Sequence, residues 1–202
     1  MQNPLIICDG LNIFMRHFCA NPAMSENGDH IGGFLGFIKG LGILCENFLP
    51  SRIIVAWESG GSVRRRNLKS SYKFGRRPAS LNRYYEDDIP ATVSNHAMQV
   101  SLLVKALSYL PVTQIYVKDC EADDVIGYLA RYVFNDQDTI VVSSDRDLYQ
   151  LINDTSVQYS PGQKKIIDTP AVVEKFGIHP INFVTARCFI GDAGDNIQGI
   201  RG

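Results

Sequence analysis

The sequence predicts an α/β fold in which helices cover both faces of a mainly parallel central sheet. Short runs rich in Ile and Val, bounded by turn residues, alternate along the chain with longer stretches of helical spacing. These runs are apolar on both faces, which is typical of buried parallel strands. Strand followed by helix, repeated along a chain, indicates an α/β sheet flanked by helices.

Each predicted element corresponds to one such segment. The predicted strands are 5–8, 53–57, 115–117 and 140–142. The predicted helices between them are about 32–48, 95–110 and 122–134. Two short runs, 157–159 and 164–167, flank Pro161-Gly162 and predict a hairpin. Two further short helices are expected near 169–176 and 180–190.

Length and composition set the class of protein. The chain has 202 residues, of which 45% are hydrophobic and 20% charged, values that suit one globular domain and exclude a disordered chain. No apolar run reaches the ~18 residues that a membrane-spanning helix needs. The N-terminus carries no basic region before its short apolar run, so we expect an intracellular, cytoplasmic chain. Five scattered cysteines without a CxxC pair predict buried, reduced thiols.

The charge is unevenly distributed along the chain. Residues 52–83 contain nine basic side chains and one acid, a local net charge of +8, within a chain whose formal net charge is −1. One strongly basic segment beside a separate set of acids is typical of a protein that binds a polyanion and also holds cations.

Residues 60–90 fit neither a strand nor a core helix, because the segment is basic, contains few aliphatic residues and is interrupted by Ser and Gly. We therefore predict a surface excursion there. Five glycines between 32 and 42 match neither phosphate-loop pattern, so close helix packing is their expected use.

Acidic residues follow the apolar runs at the points where predicted strands end. Asp9, Glu58 and the pair Asp145 and Asp147 each follow a different run. In an open α/β sheet, ligands bind outside the carboxyl ends of the strands. The segment Glu121-Ala122-Asp123-Asp124 follows another strand and opens a helix, where acids also serve as ordinary caps. Asp192 and Asp195 lie in a glycine-rich segment that, taken alone, is more typical of a solvated turn.

Capping does not explain why several acids should converge at one sheet edge. Converging carboxylates repel each other and raise each other's pKa, unless cations lie between them. Oxygen ligands without His or Cys favour Mg²⁺ or Mn²⁺ over Zn²⁺. Two such ions, one activating water and one stabilising the leaving oxygen, would hydrolyse a phosphodiester. The acids and the basic segment together indicate a nuclease.

In their order along the chain, these residues resemble the flap endonuclease and 5′-3′ exonuclease family, especially its bacterial and bacteriophage members. The matching motifs are Asp9-Gly10-x-Asn12 with Arg16, Glu58, Tyr72-Lys73-x-x-Arg76, Glu121-Ala122-Asp123-Asp124, Ser144-Asp145-x-Asp147 and Gly191-Asp192-x-x-Asp195-Asn196-Ile197-x-Gly199. Each motif alone is weak, but six in order cover essentially the whole chain.

The resemblance implies a PIN-like nuclease domain over residues 1–190, with a basic helical arch or clamp inserted at about 60–92. It implies cleavage of single-stranded 5′ ends and flaps in DNA with two divalent cations, Mg²⁺ or Mn²⁺. Around the first ion it places Asp9, Glu58, Glu121 and Asp123. Around the second it places Asp145, Asp147 and Asp192, with Asp124 and Asp195 acting directly or through water.

The resemblance also implies which residues are catalytic and which contact nucleic acid. Lys73, Arg76 and Asp145 are the expected catalytic residues, the first two by stabilising charge on the scissile phosphate. The expected nucleic-acid contacts are Arg16, Arg64, Arg65, Arg66, Tyr72, Lys73, Arg76 and Arg77. For the three consecutive arginines, a solvated basic face is an equal alternative.

The sequence departs from the family pattern in two places. The second family acid is usually Asp, whereas Glu58 is one methylene longer. Residues 191–202 correspond to the start of a helix-hairpin-helix-type duplex-binding element with a bound K⁺, so we expect that element to be truncated.

Other readings and partners remain open. A PIN-domain ribonuclease acting on single-stranded RNA would share the acids, and a non-catalytic nucleic-acid-binding module would use them only as caps. We expect a monomer that acts on 5′-flap or 5′-ended DNA, and no membrane association. An RNA-DNA hybrid substrate and a polymerase or single-strand-binding protein partner are left open.

Overall fold

The computed structural model describes residues 2–58, 60–74, 89–193 and 195–200. The strands are β1 (Leu5–Asp9), β2 (Arg52–Trp57), β3 (Val112–Tyr116), β4 (Thr139–Val142), β5 (Ser156–Ser160), β6 (Lys165–Ile167), β7 (Gly191–Asp192) and β8 (Ile197–Gln198). The α-helices are α1 (Gly10–Ala20), α2 (Gly32–Phe48), α3 (Val63–Leu68), α4 (Ile89–Leu107), α5 (Ala122–Tyr128), α6 (Thr169–Phe176) and α7 (Phe183–Ile190). A π-helical turn (Leu129–Val133) and two 3₁₀ turns (Asp147–Leu151 and Pro180–Asn182) complete the described elements.

The central sheet has six strands in the order β3-β2-β1-β4-β5-β6. All neighbours are parallel except β5 and β6, which form the predicted antiparallel hairpin. The chain switches direction across the sheet at β1, whose Ile6 pairs with Ile53 of β2 on one side and Ile140 of β4 on the other. The predicted α/β class with a mainly parallel sheet is therefore confirmed.

Strand β1 connects the two layers of core. Its Ile6 and Cys8 side chains pack into the cluster beneath α1, α2 and α4, whereas Leu5 and Ile7 pack into the cluster beneath α5. All four are fully buried, because alternate side chains of a strand point to opposite faces of the sheet. Because both faces of β1 are buried, the register of this strand is fixed, and so is the position of Asp9, which follows Cys8.

The glycines of α2 let two helices approach closely. A Cβ atom at Gly33 would lie 2.6 Å from the Phe14 ring, and one at Gly36 would lie 2.5 Å from the His17 ring. Packing therefore explains these glycines, as expected, although a Cβ at Gly42 would meet nothing within 4 Å. Helix α1 is thus held against the sheet at a short distance from α2.

Several element boundaries differ from the predictions. Strand β3 covers Val112–Tyr116 rather than 115–117, and it is partly exposed because it lies at the sheet edge. Helix α4 begins at Ile89, six residues before the predicted start. The predicted helix 122–134 changes to π geometry after Tyr128, with Phe134 N bonded to the carbonyl of Leu129. Helix α1 was not predicted.

Two expectations from composition have mixed outcomes. All five cysteines are free thiols, as predicted, but only Cys8 is buried, and Cys188 on α7 is exposed. Among the helices of the described ranges, none is long and apolar enough to cross a membrane.

A buried glutamine caps α2 from another helix. Residue Ile31, which precedes α2, has no side-chain oxygen, and Gln99 Oε1 on α4 accepts a hydrogen bond from the Phe34 amide instead, at 3.0 Å. Gln99 Nε2 donates to the carbonyl of His30 at 2.7 Å and to Asn95 Oδ1 at 2.6 Å. Gln99 is fully buried, so these bonds are shielded from water.

Gln99→Leu is expected to lower the free energy of unfolding by about 1–3 kcal/mol, because the Phe34 amide loses its cap and the His30 carbonyl keeps only the Asn95 side chain of its two side-chain donors. Urea denaturation followed by circular dichroism measures the change. The matched control is Gln163→Leu at an exposed position, where we expect less than about 0.5 kcal/mol. Equal effects of the two substitutions would contradict the capping role.

Candidate active site

Acidic side chains from separate elements line one cleft at the carboxyl edge of the sheet. Asp9 is the last residue of β1, Glu58 follows β2, and Asp145 follows β4. The cleft has a volume of about 780 Å³. Its acidic lining residues are Asp9, Glu58, Asp123, Asp145, Asp147, Asp192 and Asp195. The predicted convergence of acids is therefore present, and the lining contains neither His nor Cys.

Asp9 is both a site carboxylate and the N-cap of α1. Its Oδ1 accepts a hydrogen bond from the Asn12 amide at 3.2 Å, and its Oδ2 accepts one from Ser143 Oγ at 3.0 Å. The pKa of Asp9 is raised from 3.8 to about 7, chiefly by burial and also by the charges of Asp123 and Asp145, although both hydrogen bonds act to lower it. Asp9 thus lies in a site that disfavours its charged form.

Two neighbouring acids share this property. Burial raises the pKa of Asp123 to about 6, with added repulsion from Glu121 and Asp145. The pKa of Asp147 is also raised by burial, and then by the charge of Asp145. Asp145 therefore acts electrostatically on Asp9, Asp123 and Asp147. Mutual repulsion of this kind decreases when a cation binds among the carboxylates.

Glu121 does not line the cleft but is enclosed by donors from the basic segment. Lys73 Nζ and an Arg65 guanidinium nitrogen each lie 2.9 Å from its Oε2, and the Tyr72 hydroxyl donates to Oε2 at 3.1 Å. Glu121 is 1% exposed. Although burial alone raises the pKa of Glu121, Lys73 and Arg65 hold it below its ordinary value. Its negative charge is matched by these cations.

Asp124 lies outside the cleft lining, in a neighbouring groove that Arg65 and Tyr72 also line, and it pairs with Arg65. Arg65 donates to both of its carboxylate oxygens, at 2.6 and 2.8 Å. Asp124 Oδ2 also accepts a hydrogen bond from the Glu121 amide at 3.4 Å, which caps the start of α5. Capping, the ordinary role of an acid in the first turn of a helix, therefore describes Asp124.

Arg187 on α7 bridges two acids of the cleft. Its Nε lies 3.0 Å from Asp147 Oδ1, and its guanidinium also contacts Asp192 Oδ2. Within the ranges that the structure describes, no three Asp, Glu, His or Cys side chains form a group arranged to hold a metal ion. Basic side chains instead form ion pairs with four of the acids, namely Glu121, Asp124, Asp147 and Asp192.

Comparison with known proteins places this cleft in a family. Residues 4–177 match the model of a family described as “5′-3′ exonuclease, N-terminal resolvase-like domain”. The chain belongs to this family. It is 30% identical over 212 residues to a 5′-3′ exonuclease of Bacillus subtilis (strain 168), covering 100% of the chain and 67% of that relative. It is also 31% identical over 209 residues to DNA polymerase I of the same organism, of which it covers 22%.

Two solved structures show the same fold. The bacteriophage T5 D15 protein co-crystallised with metal ions has a TM-score of 0.79 and 20% identity, covering 98% of the chain and 70% of that protein. The T5 D15 flap endonuclease in a pseudo-enzyme-product complex with DNA and metal ions has a TM-score of 0.80 and 20% identity, with the same coverage. The chain thus spans about two thirds of the length of these 5′-3′ exonucleases, and its PIN-type fold is confirmed.

The residues expected to contact nucleic acid fall into five groups in this 5′-3′ exonuclease domain. Arg65, Tyr72 and Lys73 converge on Glu121, whereas Arg64 is exposed on α3. Arg66 donates to the Gly60 carbonyl at 2.6 Å. Arg16 lines a separate, largely apolar groove together with Lys164 and is not part of the cleft lining. The remaining two, Arg76 and Arg77, lie outside the described residues.

Three contributors to the site were missed from the sequence. Ser143 is fully buried and bonds Asp9, and Gln158 Nε2 donates to the Ser143 and Asp145 carbonyls, both at 2.8 Å. Both are polar residues at the end of or within apolar strands, a signal that could have identified them. Arg187 has no comparable signal, because basic residues are common in surface helices.

The raised pKa of Asp9 predicts how stability depends on pH without metal. The folded state keeps this proton over a range in which the unfolded state has lost it, so the free energy of unfolding falls as pH rises from about 4 to about 7. Asp9→Asn removes this effect and is expected to stabilise the protein at pH 8 in EDTA by roughly 2–4 kcal/mol.

Urea denaturation at pH 5 and pH 8 tests this expectation. The stabilisation should shrink at pH 5, where Asp9 is protonated in the folded state. Asp154→Asn changes an exposed acid and is the matched control, with no expected pH-dependent gain. A loss of stability on Asp9→Asn at pH 8 would show that repulsion and burial do not dominate at this position.

Proposed function

We propose that this chain is a structure-specific 5′ nuclease that hydrolyses phosphodiester bonds of DNA at 5′ ends and flap junctions, using divalent cations. The observation that supports this proposal most is the convergence of acids from β1, β2, β4, α5 and the β7–β8 segment in one cleft beside a basic segment. Its family of 5′-3′ exonucleases performs this class of hydrolysis.

The residues of the cleft fit Mg²⁺ or Mn²⁺. The donors are carboxylate oxygens, and the pKa values of Asp9, Asp123 and Asp147 are raised as expected for carboxylates that lack a bound cation. Asp9, Glu58 and Asp123 would hold one ion. Glu121 would join them once its partners Lys73, Arg65 and Tyr72 have moved away. Asp145, Asp147 and Asp192 would hold the other, with Asp124 and Asp195 acting directly or through water. Bound there, the ions activate water and neutralise charge on the phosphate.

The chain's own side chains hold the carboxylates in place and supply positive charge. Ser143 and Gln158 fix Asp9 and the segment after β4. Lys73 borders the cleft and, with Arg76, would stabilise negative charge on the scissile phosphate. Arg64, Arg66 and Arg77 would contact the DNA backbone rather than the bases. Tyr72 would stack on a base once released from Glu121.

The remaining family features are part of the same proposal. The segment 60–92 remains our candidate for the arch over the 5′ strand and 191–202 for the start of the duplex-binding element with its K⁺ site, although residues 75–88, 194, 201 and 202 lie outside the described part of the chain. The T5 flap endonuclease forms a complex with DNA and metal ions, which supports DNA as the substrate. We extend the proposal to RNA-DNA hybrids, as in primer removal, and to a monomeric enzyme.

Cleavage of a 5′-labelled flap DNA, beside a matched single-stranded RNA, tests the function. Each substrate is incubated with Mg²⁺, with Mn²⁺ and with EDTA. We expect metal-dependent cutting of the DNA near the flap junction and none in EDTA. Cutting of RNA alone would favour a PIN-domain ribonuclease. Metal-independent binding without any cutting would favour a non-catalytic binding module.

A further inference from the structure

Asn196 joins the segment after β7 to the base of the basic segment. Its Nδ2 donates two hydrogen bonds, to the Ser71 carbonyl at 2.9 Å and to the Phe74 carbonyl at 3.0 Å. Lys69 Nζ in turn contacts the Asn196 carbonyl. One asparagine therefore holds residues 69–74, which we call the arch base, against the loop between β7 and β8.

The two bonded carbonyls lie on either side of Lys73. The backbone of Lys73 has φ +55°, in the left-handed region that residues other than glycine rarely adopt. Its ammonium lies 2.9 Å from Glu121 Oε2 and borders the acidic cleft. The direction of this ammonium therefore depends on a backbone conformation that needs external support.

Asn196 is suited to giving this support. It also has a positive φ, +58°, and Asn tolerates that region better than other residues with side chains. Its loop carries Asp192 and Asp195, which line the same cleft as Lys73. Any movement of this loop is thus transmitted to the arch base through two hydrogen bonds from a single amide group.

We propose that Asn196 is a positioning residue that holds Lys73 at the cleft and links the arch base to the loop bearing Asp192 and Asp195. This inference rests on the proposed nuclease function. The side-chain amide of Asn196 donates to the arch base, and Asn196 acts on the reaction through Lys73. Because both of its partners are main-chain carbonyls, the role requires an amide donor at position 196.

The informative variant is Asn196→Gly, since glycine accepts the positive φ and the substitution removes only the side chain. We expect the single-turnover cleavage rate of the 5′-flap DNA to fall about tenfold, with less than about a twofold change in Kd. Asn196→Asp retains the size but directs oxygens at two carbonyls, so its rate should fall further. The matched control is Asn3→Gly, another asparagine with positive φ, at +49°, where we expect no change.

A double-mutant cycle with Lys73→Ala tests the route of the effect. If Asn196 acts through Lys73, Asn196→Gly has less than a twofold effect on the rate in the Lys73→Ala background. The same tenfold loss in both backgrounds would overturn the proposal. It would mean that the loop acts on the acids independently of Lys73.

Hydrogen exchange provides a readout without metal, substrate or activity. The amides of Tyr72 and Phe74 donate to the carbonyls of Lys69 and Ser71 within the arch base. In EDTA, Asn196→Gly should raise their exchange rates about tenfold, with unchanged rates for the buried strand β1 and none of this in Asn3→Gly. Unchanged rates at Tyr72 and Phe74 would overturn the proposal. Faster exchange in a protein whose wild type cleaves no DNA would retain the Asn196 link and reject the nuclease function.

Discussion

Asp145→Asn is expected to lower the metal-dependent cleavage rate by about 10³-fold or more while leaving the fold intact. The charge of Asp145 raises the pKa of Asp9, Asp123 and Asp147. Asp145 therefore connects the acids proposed for the first ion with those proposed for the second. Removing its charge weakens cation binding where charge stabilisation amounts to several kcal/mol, and each 1.36 kcal/mol changes a rate tenfold.

The fold should tolerate this change because its hydrogen bond survives. Asp145 Oδ1 accepts from the Asp147 amide at 2.9 Å, and the asparagine oxygen can accept the same bond. Single-turnover cleavage of a 5′-flap DNA, with circular dichroism as the test of folding, measures the effect. Asp154→Asn, at an exposed acid outside the cleft, is the control and should cleave normally. A rate within tenfold of wild type would remove Asp145 from the catalytic centre.

Lys73→Ala is expected to lower the cleavage rate by about 10²–10³-fold and to change substrate Kd by less than about threefold. The ammonium lies at the cleft, partly buried, where a positive charge near the reacting phosphate acts more strongly than it does in water. Its contribution to general attraction of DNA is small, since eight other basic residues lie within 52–83.

Arg64→Ala gives the contrasting result. Arg64 is exposed on α3, so its loss should weaken DNA binding modestly and increasingly at low salt, with little effect on single-turnover cleavage at saturating enzyme. Anisotropy of a labelled flap DNA in EDTA gives Kd for both variants. If Lys73→Ala and Arg64→Ala change binding and rate in the same proportion, Lys73 is only a surface charge.

The part of the fold that depends on local pattern was predictable. Buried parallel strands are recognisable in the sequence as apolar runs, and the ends of these runs give the positions of Asp9, Glu58 and Asp145. The antiparallel β5–β6 hairpin and helix α6 follow from turn residues and spacing in the same way. Strand β3 was misplaced because an edge strand has a polar side and so lacks a continuous apolar run.

Contacts between distant segments were not predictable. The cap of α2 comes from Gln99, 65 residues from its partner Phe34, because the local residue Ile31 offers no side-chain oxygen. Likewise, nothing in Glu121-Ala122-Asp123-Asp124 shows that Asp123 faces the cleft while Glu121 and Asp124 pair with Arg65. Spacing gives the residue types at a sheet edge, but tertiary packing decides which side chain points where.

The order in which the acids occur along the chain bears on synthesis. Asp9 ends strand β1 and Asp195 lies between β7 and β8, and between them the cleft draws on three further stretches of sequence. A chain emerging from the ribosome can form the central strands well before the segment carrying Asp192 and Asp195 is available. No contiguous fragment of modest length contains the full set of carboxylates, so the complete acidic cleft is expected to form only after the segment carrying Asp192 and Asp195 has been synthesised.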